Sequence, residues 1–397
     1  MRVVCYSARM NTRVYLDYAA ATPVAPEVMV VMLPYFSELF GNAGAVHAEG
    51  RAAREAIDEA RTQLARILTV RPEGITFTSG GTEANNLAIF GTLATSTVAQ
   101  PEVITTEVEH PSVLEAMHEL EKRGVKVTYL PVQESGLVDK KVLAAALTLN
   151  TVLVTFAYAN SETGVVQDVR ALVRTVQEFA RAHAVSIRTH IDASQAPLWL
   201  PLGMDALGAD MMTLDAGKCY GPKGLGVLAR KHGAPIVSQT YGGQQEAGLR
   251  AGTENTPLIL GGAAAFVRAE KGREERVERT RAVRDYLLER LQEIFPNAVL
   301  NGAKEDRLAN NVNISLPGMD TEYAVMYLDA HGIAVSTRSA CGALGKTGSH
   351  VIRAMTHDEE RATATLRVTL GEVTTRDDVD ACVTTLQKWH DLMQRVV

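Results

Sequence analysis

Residues 75–86 have the sequence Ile75-Thr76-Phe77-Thr78-Ser79-Gly80-Gly81-Thr82-Glu83-Ala84-Asn85-Asn86, in which a β-branched run leads through two glycines into a helical pattern. Such a strand–turn–helix unit points several backbone N–H groups and the positive end of the helix at one place, which suits a phosphate group. It matches neither the G-x-G-x-x-G pattern nor a P-loop, because no lysine follows the glycines. The alternative is an ordinary tight turn in which Thr82 caps the helix.

The same alternation of short apolar runs and amphipathic stretches continues on both sides of this unit. It predicts strands at 74–78, 103–106, 125–130, 152–157, 186–191, 210–214 and 224–229, with helices at 51–68, 82–93, 112–122 and 168–182. Strands that alternate with helices in this way are typical of βαβ units. We therefore expect an α/β protein with a mostly parallel central sheet in a large domain.

The pattern changes after Thr256. Residues 258–294 predict one or two helices, whose charged centre at 268–284 we interpret as a solvated face. A strand at 312–316, a helix at 322–331 and a strand at 365–370 predict a smaller α+β domain. We place the boundary near Gly262, so that the large domain covers 14–262 and the small domain covers 263–397 together with 1–13.

Composition excludes several classes of protein. The chain has 397 residues, of which 46% are hydrophobic and 22% charged, the balance of a globular protein rather than a disordered one. Its formal net charge of -6 argues against a main role in binding nucleic acid or an anionic membrane. No apolar run approaches the roughly 18–20 residues that span a bilayer, and residues 1–12 lack a secretory pattern. The four widely spaced cysteines give neither a disulfide framework nor a metal-binding pair, so we expect no metal and a cytoplasmic location.

Two polar residues follow predicted strands in the middle of the chain. Asp192 comes directly after the apolar stretch 187–191, and a carboxylate at the carboxyl end of a strand lies where ligands bind in α/β sheets. There it could hold the N–H of a pyridinium ring, or simply cap a helix. Lys218 follows the strand at 210–214 in a turn of small residues, where partial burial would favour the reactive neutral amine. The alternative is a lysine that faces solvent.

A cysteine lies in a glycine-rich segment near the end of the chain. Cys341 is followed by two glycines, Lys346 and a third glycine before Ser349, so exposure and a nearby cation would favour its thiolate. The alternative is an incidental loop cysteine. Taken together, a phosphate-binding turn, a carboxylate at a strand end, a lysine and a distant thiol indicate a pyridoxal-phosphate enzyme with a nucleophilic cysteine.

From Tyr15 to about Thr375 the sequence resembles the pyridoxal-phosphate-dependent cysteine desulfurases, the aminotransferase class V group of the fold-type I enzymes. The resemblance rests on motifs that occur in order along nearly the whole chain: Tyr15-Leu16-Asp17-Tyr18-Ala19-Ala20, Gly41-Asn42 with His47, the segment 79–86, Glu109-His110, Asn160-Ser161-Glu162-Thr163-Gly164, Asp192-Ala193-Ser194-Gln195, Lys218 with Tyr220-Gly221-Pro222-Lys223-Gly224, the segment 249–255, Ser339-Ala340-Cys341 and Leu366-Arg367. The segment 341–349 is similar to the longer cysteine loop of the class I members.

The resemblance implies that the protein converts L-cysteine to L-alanine and receives the sulfur on Cys341 as a persulfide for an acceptor protein. It implies that Lys218 binds pyridoxal 5′-phosphate covalently, that Asp192 pairs with the ring nitrogen and that His110 stacks on the ring and serves in proton transfer. The other cofactor-binding residues that it implies are Gly81, Thr82, Asn160, Gln195 and Thr253, the last reaching the cofactor of the other subunit in a homodimer. The substrate-binding residues that it implies are Asn42, Asn160 and Arg367, with Arg367 gripping the substrate carboxylate.

Two positions beside the lysine depart from the pattern of this group. Where the group has a serine and a histidine that donate to the cofactor phosphate, this chain has Asp215 and Gly217. Two unit charges about 5 Å apart repel by roughly 3 kcal/mol at an effective dielectric near 20. We therefore expect Asp215 to turn away from the phosphate or to pair with a cation.

Two other functions fit the same residues. The scaffold could serve a selenocysteine lyase or another β-elimination enzyme, which turnover of selenocysteine with and without Cys341 would distinguish. From a different class, the altered positions 215 and 217 could belong to an inactive scaffold that only binds sulfur-transfer partners. The joint presence of Lys218, Asp192, His110 and Cys341 argues against the scaffold, because an inactive protein has no physical need of all four.

Overall fold

The computed structural model describes residues 13–337 and 348–396. Its central element is a sheet with the strand order β2-β8-β7-β6-β5-β3-β4. The strands are β2 (Ile75–Thr78), β3 (Glu102–Thr106), β4 (Lys126–Leu130), β5 (Thr151–Ala157), β6 (Arg188–Asp192), β7 (Met211–Asp215) and β8 (Gly226–Arg230). All neighbouring pairs are parallel except the two that involve β8, which confirms the predicted mostly parallel sheet.

Helices connect these strands and cover the sheet. In the first two thirds of the chain they are α1 (Pro26–Met32), α2 (Pro34–Ser37), α3 (Ala48–Leu68), α4 (Gly81–Leu93), α5 (Pro111–Lys122), α6 (Lys140–Ala146), α7 (Val169–His183), α8 (Met204–Leu207) and α9 (Thr256–Glu270). Short 3₁₀ turns lie at Pro72–Gly74, Ala216–Lys218 and Gln245–Gly248.

Both faces of the sheet are buried, and strand β7 shows how. Met212 and Leu214 pack into the large core that includes α3, α7 and α9, whereas Met211 packs into a second core with α4 and α5. Side chains of a strand alternate between its two faces, so residues 211, 213 and 215 share the face covered by α4. Parallel strands covered by helices on both faces are the arrangement that the βαβ pattern predicts.

The C-terminal part builds a smaller α+β unit, as the sequence predicts. Its elements are β9 (Val299–Leu300), β10 (Asn311–Ser315), β11 (Ile333–Ala334), β12 (Thr365–Thr369), α10 (Arg273–Ile294), α11 (Thr321–Ala330), α12 (His350–Thr356), α13 (Glu359–Thr363) and α14 (Arg376–Val396). Strands β12, β10 and β9 form an antiparallel sheet in that order, and β11 pairs in parallel with β1 (Val14–Tyr15). A separate core forms here, to which Leu16 contributes from the N-terminal segment.

The division at Gly262 stays a prediction. Gly262 lies within α9, and Phe266 and Ala269 of the same helix still belong to the large core, whereas Leu287 of α10 belongs to the small one. Gly272, with φ of 72°, separates the two helices.

The expectation of a solvated face at 268–284 is wrong for two arginines. Arg276 is 7% exposed and donates to the backbone oxygens of Leu198 and Ala269 and to the carboxylate of Glu372. Arg284 is 6% exposed and donates to the backbone oxygen of Leu308. A guanidinium has five donors, so burial is tolerated once backbone carbonyls and a carboxylate take them up, and charge content alone does not reveal those partners.

Across the described residues, none of the helices combines the length and apolar character needed to cross a membrane.

Candidate active site

A pocket lies where the parallel strands end. The residues that line it come from the carboxyl ends of these strands and the segments after them, from the start of α4, from the N-terminal segment and from β12: Ala19, Ala20, Gly81, Thr82, Asn85, Val108, His110, Ser112, Ala157, Ala159, Asn160, Ser161, Asp192, Ser194, Gln195, Asp215, Lys218 and Arg367. Carboxyl ends of parallel strands are the usual ligand-binding edge of such sheets. The topology thus brings most of the predicted site residues into one pocket from widely separated parts of the chain.

Lys218 ends the 3₁₀ turn that follows β7, and its amine lies in the pocket. Its Nζ donates to the backbone oxygen of Ala20 at 2.6 Å. One carbonyl uses one of the three ammonium donors, so the contact orients the side chain without enclosing its nitrogen.

Asp192 is the last residue of β6 and is buried. Its Oδ1 accepts from the backbone N–H of Ser194 at 2.9 Å and from the Ser194 hydroxyl at 2.6 Å, and its Oδ2 accepts from Nδ2 of Asn85 at 2.8 Å. A carboxylate has about four acceptor positions, so these three hydrogen bonds from the described residues fix its orientation and leave one position for a ligand N–H.

His110 is the N-cap residue of α5. Its Nδ1 accepts from the backbone N–H of Ser112 at 3.1 Å and lies 2.8 Å from the Ser112 hydroxyl. Because Nδ1 serves as an acceptor, the hydrogen-bond pattern assigns the proton of the neutral ring to Nε2. Burial lowers the pKa of His110, and the opposing effect of Asp192 is smaller. The neutral ring is therefore the favoured form near pH 7.

The buried side-chain amide of Asn85 connects Asp192 with His110, and the sequence analysis did not predict this connection. Asn85 Nδ2 donates both to Asp192 Oδ2 and to the Ser112 hydroxyl, the latter at 2.9 Å, and Ser112 in turn contacts His110. Asn85 lies in the motif that the sequence singles out, on the turn of α4 that faces the pocket. An asparagine at this position of the helix was the available signal of a buried polar contact. Its partners could not be predicted, because Ser112 and Asp192 lie 27 and 107 residues away in the sequence.

Gln195 and Asn160 line the pocket with their amides already engaged. Gln195 Nε2 donates to the backbone oxygen of Ala19 at 3.0 Å. Asn160 Nδ2 donates to the oxygen of Val108 at 2.8 Å, while its Oδ1 accepts from the backbone N–H groups of Glu162 and Thr163, both at 2.9 Å. These contacts hold the loops around the pocket, and each amide nitrogen keeps a second hydrogen that could serve a ligand.

The glycine pair begins α4 at the pocket. Gly80 has φ of 153°, in the region that favours glycine, and a Cβ at Gly81 would lie 2.9 Å from the Ser194 hydroxyl. The backbone of Gly81 and Thr82 therefore comes closer to the pocket than other residue types would allow. These N–H groups at a helix start fit a phosphate group.

Asp215 contradicts the expectation that it turns away or pairs with a cation. Its carboxylate lines the pocket, where Oδ1 accepts from the N–H of Gly217 at 2.8 Å and Oδ2 from the N–H of Gly81 at 3.2 Å. The ion pairs formed within 13–337 and 348–396 do not include this side chain. Backbone N–H groups, rather than a cation, stabilise its charge.

Arg367 comes from β12 of the smaller unit and is 1% exposed. Its Nη2 donates to Asp17 Oδ1 at 2.8 Å and its Nη1 to the backbone oxygen of Ser161 at 3.0 Å, while its Nε has no partner among the described residues. Burial raises the pKa of Asp17, and the attraction of Arg367 opposes that rise. A buried guanidinium with an unused donor at the pocket wall suits a ligand carboxylate.

Two of the predicted site residues that the structure describes, Asn42 and Thr253, do not line this pocket within one chain. Asn42 is exposed and its Oδ1 accepts from the N–H of Gly44 at 2.8 Å, and Thr253 is also exposed. Cys341 lies outside the described residues. The described cysteines, Cys219 and Cys382, are buried, and burial raises the pKa of both thiols.

The pocket fits a phosphorylated pyridine aldehyde in most respects. It combines an amine for the aldehyde, a fixed carboxylate with one free acceptor position for a ring N–H, and helix N–H groups for the phosphate. Asp215, beside those N–H groups, is unfavourable for a dianion.

Comparisons with known proteins agree with one another. The family model described as aminotransferase class-V matches residues 14–382. The chain is 38% identical over 379 residues to a cysteine desulfurase IscS of Dictyoglomus turgidum, covering 96% of this chain and 95% of that protein. The solved structure of a NifS-like protein superposes with a TM-score of 0.89 at 32% identity, over 96% of this chain and 100% of that one. A solved structure of SspA in complex with cysteine has a TM-score of 0.78 at 32% identity, over 91% and 99% of the two chains.

Proposed function

The chain belongs to the aminotransferase class-V family and is a cysteine desulfurase that depends on pyridoxal 5′-phosphate, and from this premise we propose which residues carry out its reaction. The observation that carries the assignment is that Lys218, Asp192 and His110 line one pocket. L-Cysteine is the substrate, L-alanine is the product, and Cys341 is the first sulfur acceptor.

Lys218 is the base as well as the covalent attachment point. When bound, the cofactor supplies an electron-poor ring that stabilises the electron pair left as the substrate Cα–H bond breaks. Lys218 Nζ would hold the cofactor by its aldehyde carbon, and once freed from it the amine would take the Cα proton of L-cysteine. The hydrogen bond from Nζ to the Ala20 carbonyl keeps the amine at the pocket wall.

Asp192 and His110 serve the ring and the leaving sulfur. Asp192, oriented by Ser194 and Asn85, would accept the N–H of the cofactor ring at its remaining acceptor position and so keep the ring electron-poor. His110 would contact the ring, and its Nε2 would move the proton of the substrate thiol.

Arg367 and Cys341 complete the reaction. Arg367 uses its unpaired Nε and the remaining Nη hydrogens to bind the substrate carboxylate. The Cys341 thiolate attacks the substrate sulfur, the carbon–sulfur bond breaks with its electron pair passing to the substrate carbon, and that carbon takes a proton to give alanine. Cys341 then carries the persulfide to an acceptor protein.

The protein acts as a homodimer in which Thr253 completes the partner's site. Supporting this, an apolar surface on α1, α2 and the following loop is exposed, including Val30, Leu33, Phe36 and Phe40 at 55–71%. Exposed apolar patches of this kind mark protein–protein contacts. Thr253 is exposed and does not line the pocket of its own chain, as a contribution to a second subunit requires.

The sulfur acceptor is a protein of an iron–sulfur assembly or thiolation system, and the location is cytoplasmic. Curated relatives named IscS support the first statement, and the wide spacing of the cysteines supports the second.

Incubation with L-cysteine tests the residue roles. The protein loaded with pyridoxal phosphate should show a visible absorption band and form alanine. Lys218→Ala should abolish both. The control is Lys223→Ala, which removes the lysine five residues after Lys218, whose amine donates to the Thr22 carbonyl; this variant should keep the band. Cys341→Ser should stop persulfide formation. Wild-type rates of alanine and sulfide formation in Cys341→Ser would refute the role of that cysteine.

Mixed dimers test the role of Thr253. When Lys218→Ala and Thr253→Ala chains are co-expressed, a mixed dimer contains one site with Lys218 from one chain and Thr253 from the other. That site should bind the cofactor with wild-type affinity. If Thr253 served its own chain, every site of the mixed dimer would lack one residue, and no wild-type site would form.

A further inference from the structure

Asp215 connects two backbone segments at the edge of the pocket. Its Oδ1 accepts from Gly217 in the turn that leads to Lys218, and its Oδ2 accepts from Gly81 at the start of α4. The second contact spans 134 residues of sequence. In the cofactor-free chain, this carboxylate therefore serves as the anion at the helix start.

The same N–H group belongs to the proposed phosphate site. A Cβ at Gly81 would lie 3.4 Å from Asp215 Oδ2, so the carboxylate is in contact with the glycine pair itself. A phosphate that approaches Gly81 and Thr82 meets the carboxylate within a few ångströms. Both groups are acceptors, so they compete for donors and repel each other when both are fully ionised.

The charges around Asp215 do not remove this repulsion. Glu83 on α4 is paired with Arg250 at 3.0 Å, and Asp192 beyond Ser194 adds a further negative charge. Two cations face the region, Lys218 after the turn and Lys223, whose side chain passes beside Gly217 and donates to the Thr22 carbonyl. The buried thiol of Cys219 follows in the same turn. Both amines are directed to backbone carbonyls, Lys218 to that of Ala20 and Lys223 to that of Thr22, and neither pairs with Asp215, so a proton is the simplest remaining counter-charge.

We propose that the carboxylate of Asp215 and an oxygen of the bound cofactor phosphate share one proton, so that this protein takes up a proton when it binds its cofactor. The inference rests on the cofactor site of the proposed function. Because the second pKa of a phosphate monoester is about 6, the free phosphate is a dianion above about pH 7. Binding then draws the shared proton from solvent, and the affinity falls about tenfold for each unit of rising pH.

Pyridoxine 5′-phosphate tests the proposal without covalent chemistry, because its alcohol cannot react with Lys218. Between pH 7 and pH 9, its dissociation constant should rise about 100-fold more in the wild type than in Asp215→Asn. Calorimetry at pH 8 in buffers of different ionisation enthalpy should count about one more proton taken up by the wild type. Asp205→Asn, which removes an exposed charge at the start of α8, should behave like the wild type.

Asp215→Ser provides a second variant, since its hydroxyl can accept from Gly217 and donate to the phosphate. Equal pH slopes and equal proton counts in the wild type and both variants would overturn the proposal. A wild-type affinity that depends on added Mg²⁺ and is lost with a chelator would also overturn it, in favour of a bridging cation. Failure of the wild type to bind either pyridoxine phosphate or pyridoxal phosphate would instead overturn the cofactor assignment, and this inference with it.

Discussion

Replacing Asn85 with alanine should cost the cofactor-free protein about 3 kcal/mol of unfolding free energy. Asn85 is 1% exposed, and its Nδ2 donates to Asp192 Oδ2 at 2.8 Å and to the Ser112 hydroxyl at 2.9 Å. A hydrogen bond to a charged acceptor contributes about 2 kcal/mol and a neutral one about 1 kcal/mol. The small cavity left by the side chain costs about 1 kcal/mol. Removal of Asn85 Oδ1, which is buried and has no partner among the described residues, offsets this cost.

The matched control is Asn86→Ala, one residue along the same helix. Asn86 is half-buried, and its Nδ2 donates to the backbone oxygen of Thr82 within the helix at 2.9 Å. Its loss should cost less than about 1 kcal/mol. Urea denaturation at one fixed protein concentration measures both values, because concentration affects the apparent stability of a dimer.

The Asn85 variant should also bind pyridoxine phosphate about tenfold more weakly, because Asp192 then loses one of the three donors that orient it. Equal stability losses in Asn85→Ala and Asn86→Ala, with unchanged ligand affinity, would refute the view that this amide holds Asp192 and Ser112 in place.

Three further results are expected. Burial raises the pKa of Glu109 from 4.5 to about 8, so its contribution to stability is complete below about pH 4.5 and is lost as the pH rises to 8. In urea titrations over this pH range, the unfolding free energy of the wild type should fall by about 1.4 kcal/mol per pH unit relative to that of Glu109→Gln. Parallel pH dependences of the two proteins would contradict this. A Cβ at Gly226 would lie 2.3 Å from the carbonyl carbon of Gly80, so Gly226→Ala should displace the phosphate-binding turn and weaken pyridoxine phosphate binding at least tenfold. Wild-type affinity in this variant would contradict the close approach of the Gly226 and Gly80 backbones. Burial raises the pKa of the Cys219 and Cys382 thiols, so brief treatment of the native protein with iodoacetamide should leave both unlabelled until urea is added, as measured by peptide mapping. Prompt labelling of either cysteine in the native protein would show that it is accessible.

The sequence was sufficient for the elements of the large sheet and for the edge where ligands bind. Short β-branched runs and helical periodicity are local properties that predict the strands and helices. The rule that ligands lie at the carboxyl ends of parallel strands then predicts the edge of the sheet where the pocket lies. Asp192 ends a strand and Lys218 follows one closely, so local signals placed both at this edge, whereas His110 was expected only from the family resemblance.

Contacts between distant segments could not be predicted in the same way. Asn85 was visible in its motif, but its partners depend on how α4 packs over β6 and α5. The burial of Arg276 likewise depends on the carbonyl of Leu198, 78 residues earlier, and on Glu372. The composition of the charged stretch does not indicate either partner. Tertiary packing decides which polar groups are satisfied, and local composition does not.

The error about Asp215 has a more specific cause. A strand fixes the face of each of its residues, so the side chain of Asp215 is not free to rotate away from the phosphate. Thr213 pairs with Asp192 in the sheet, and residues two apart share a face, so Asp215 must lie on the α4 side. The opposite face is filled by Met212 and Leu214 in the large core, where a carboxylate would lack donors. Repulsion from a phosphate therefore cannot move this carboxylate to the other face, and protonation or a local rotamer change is the remaining response.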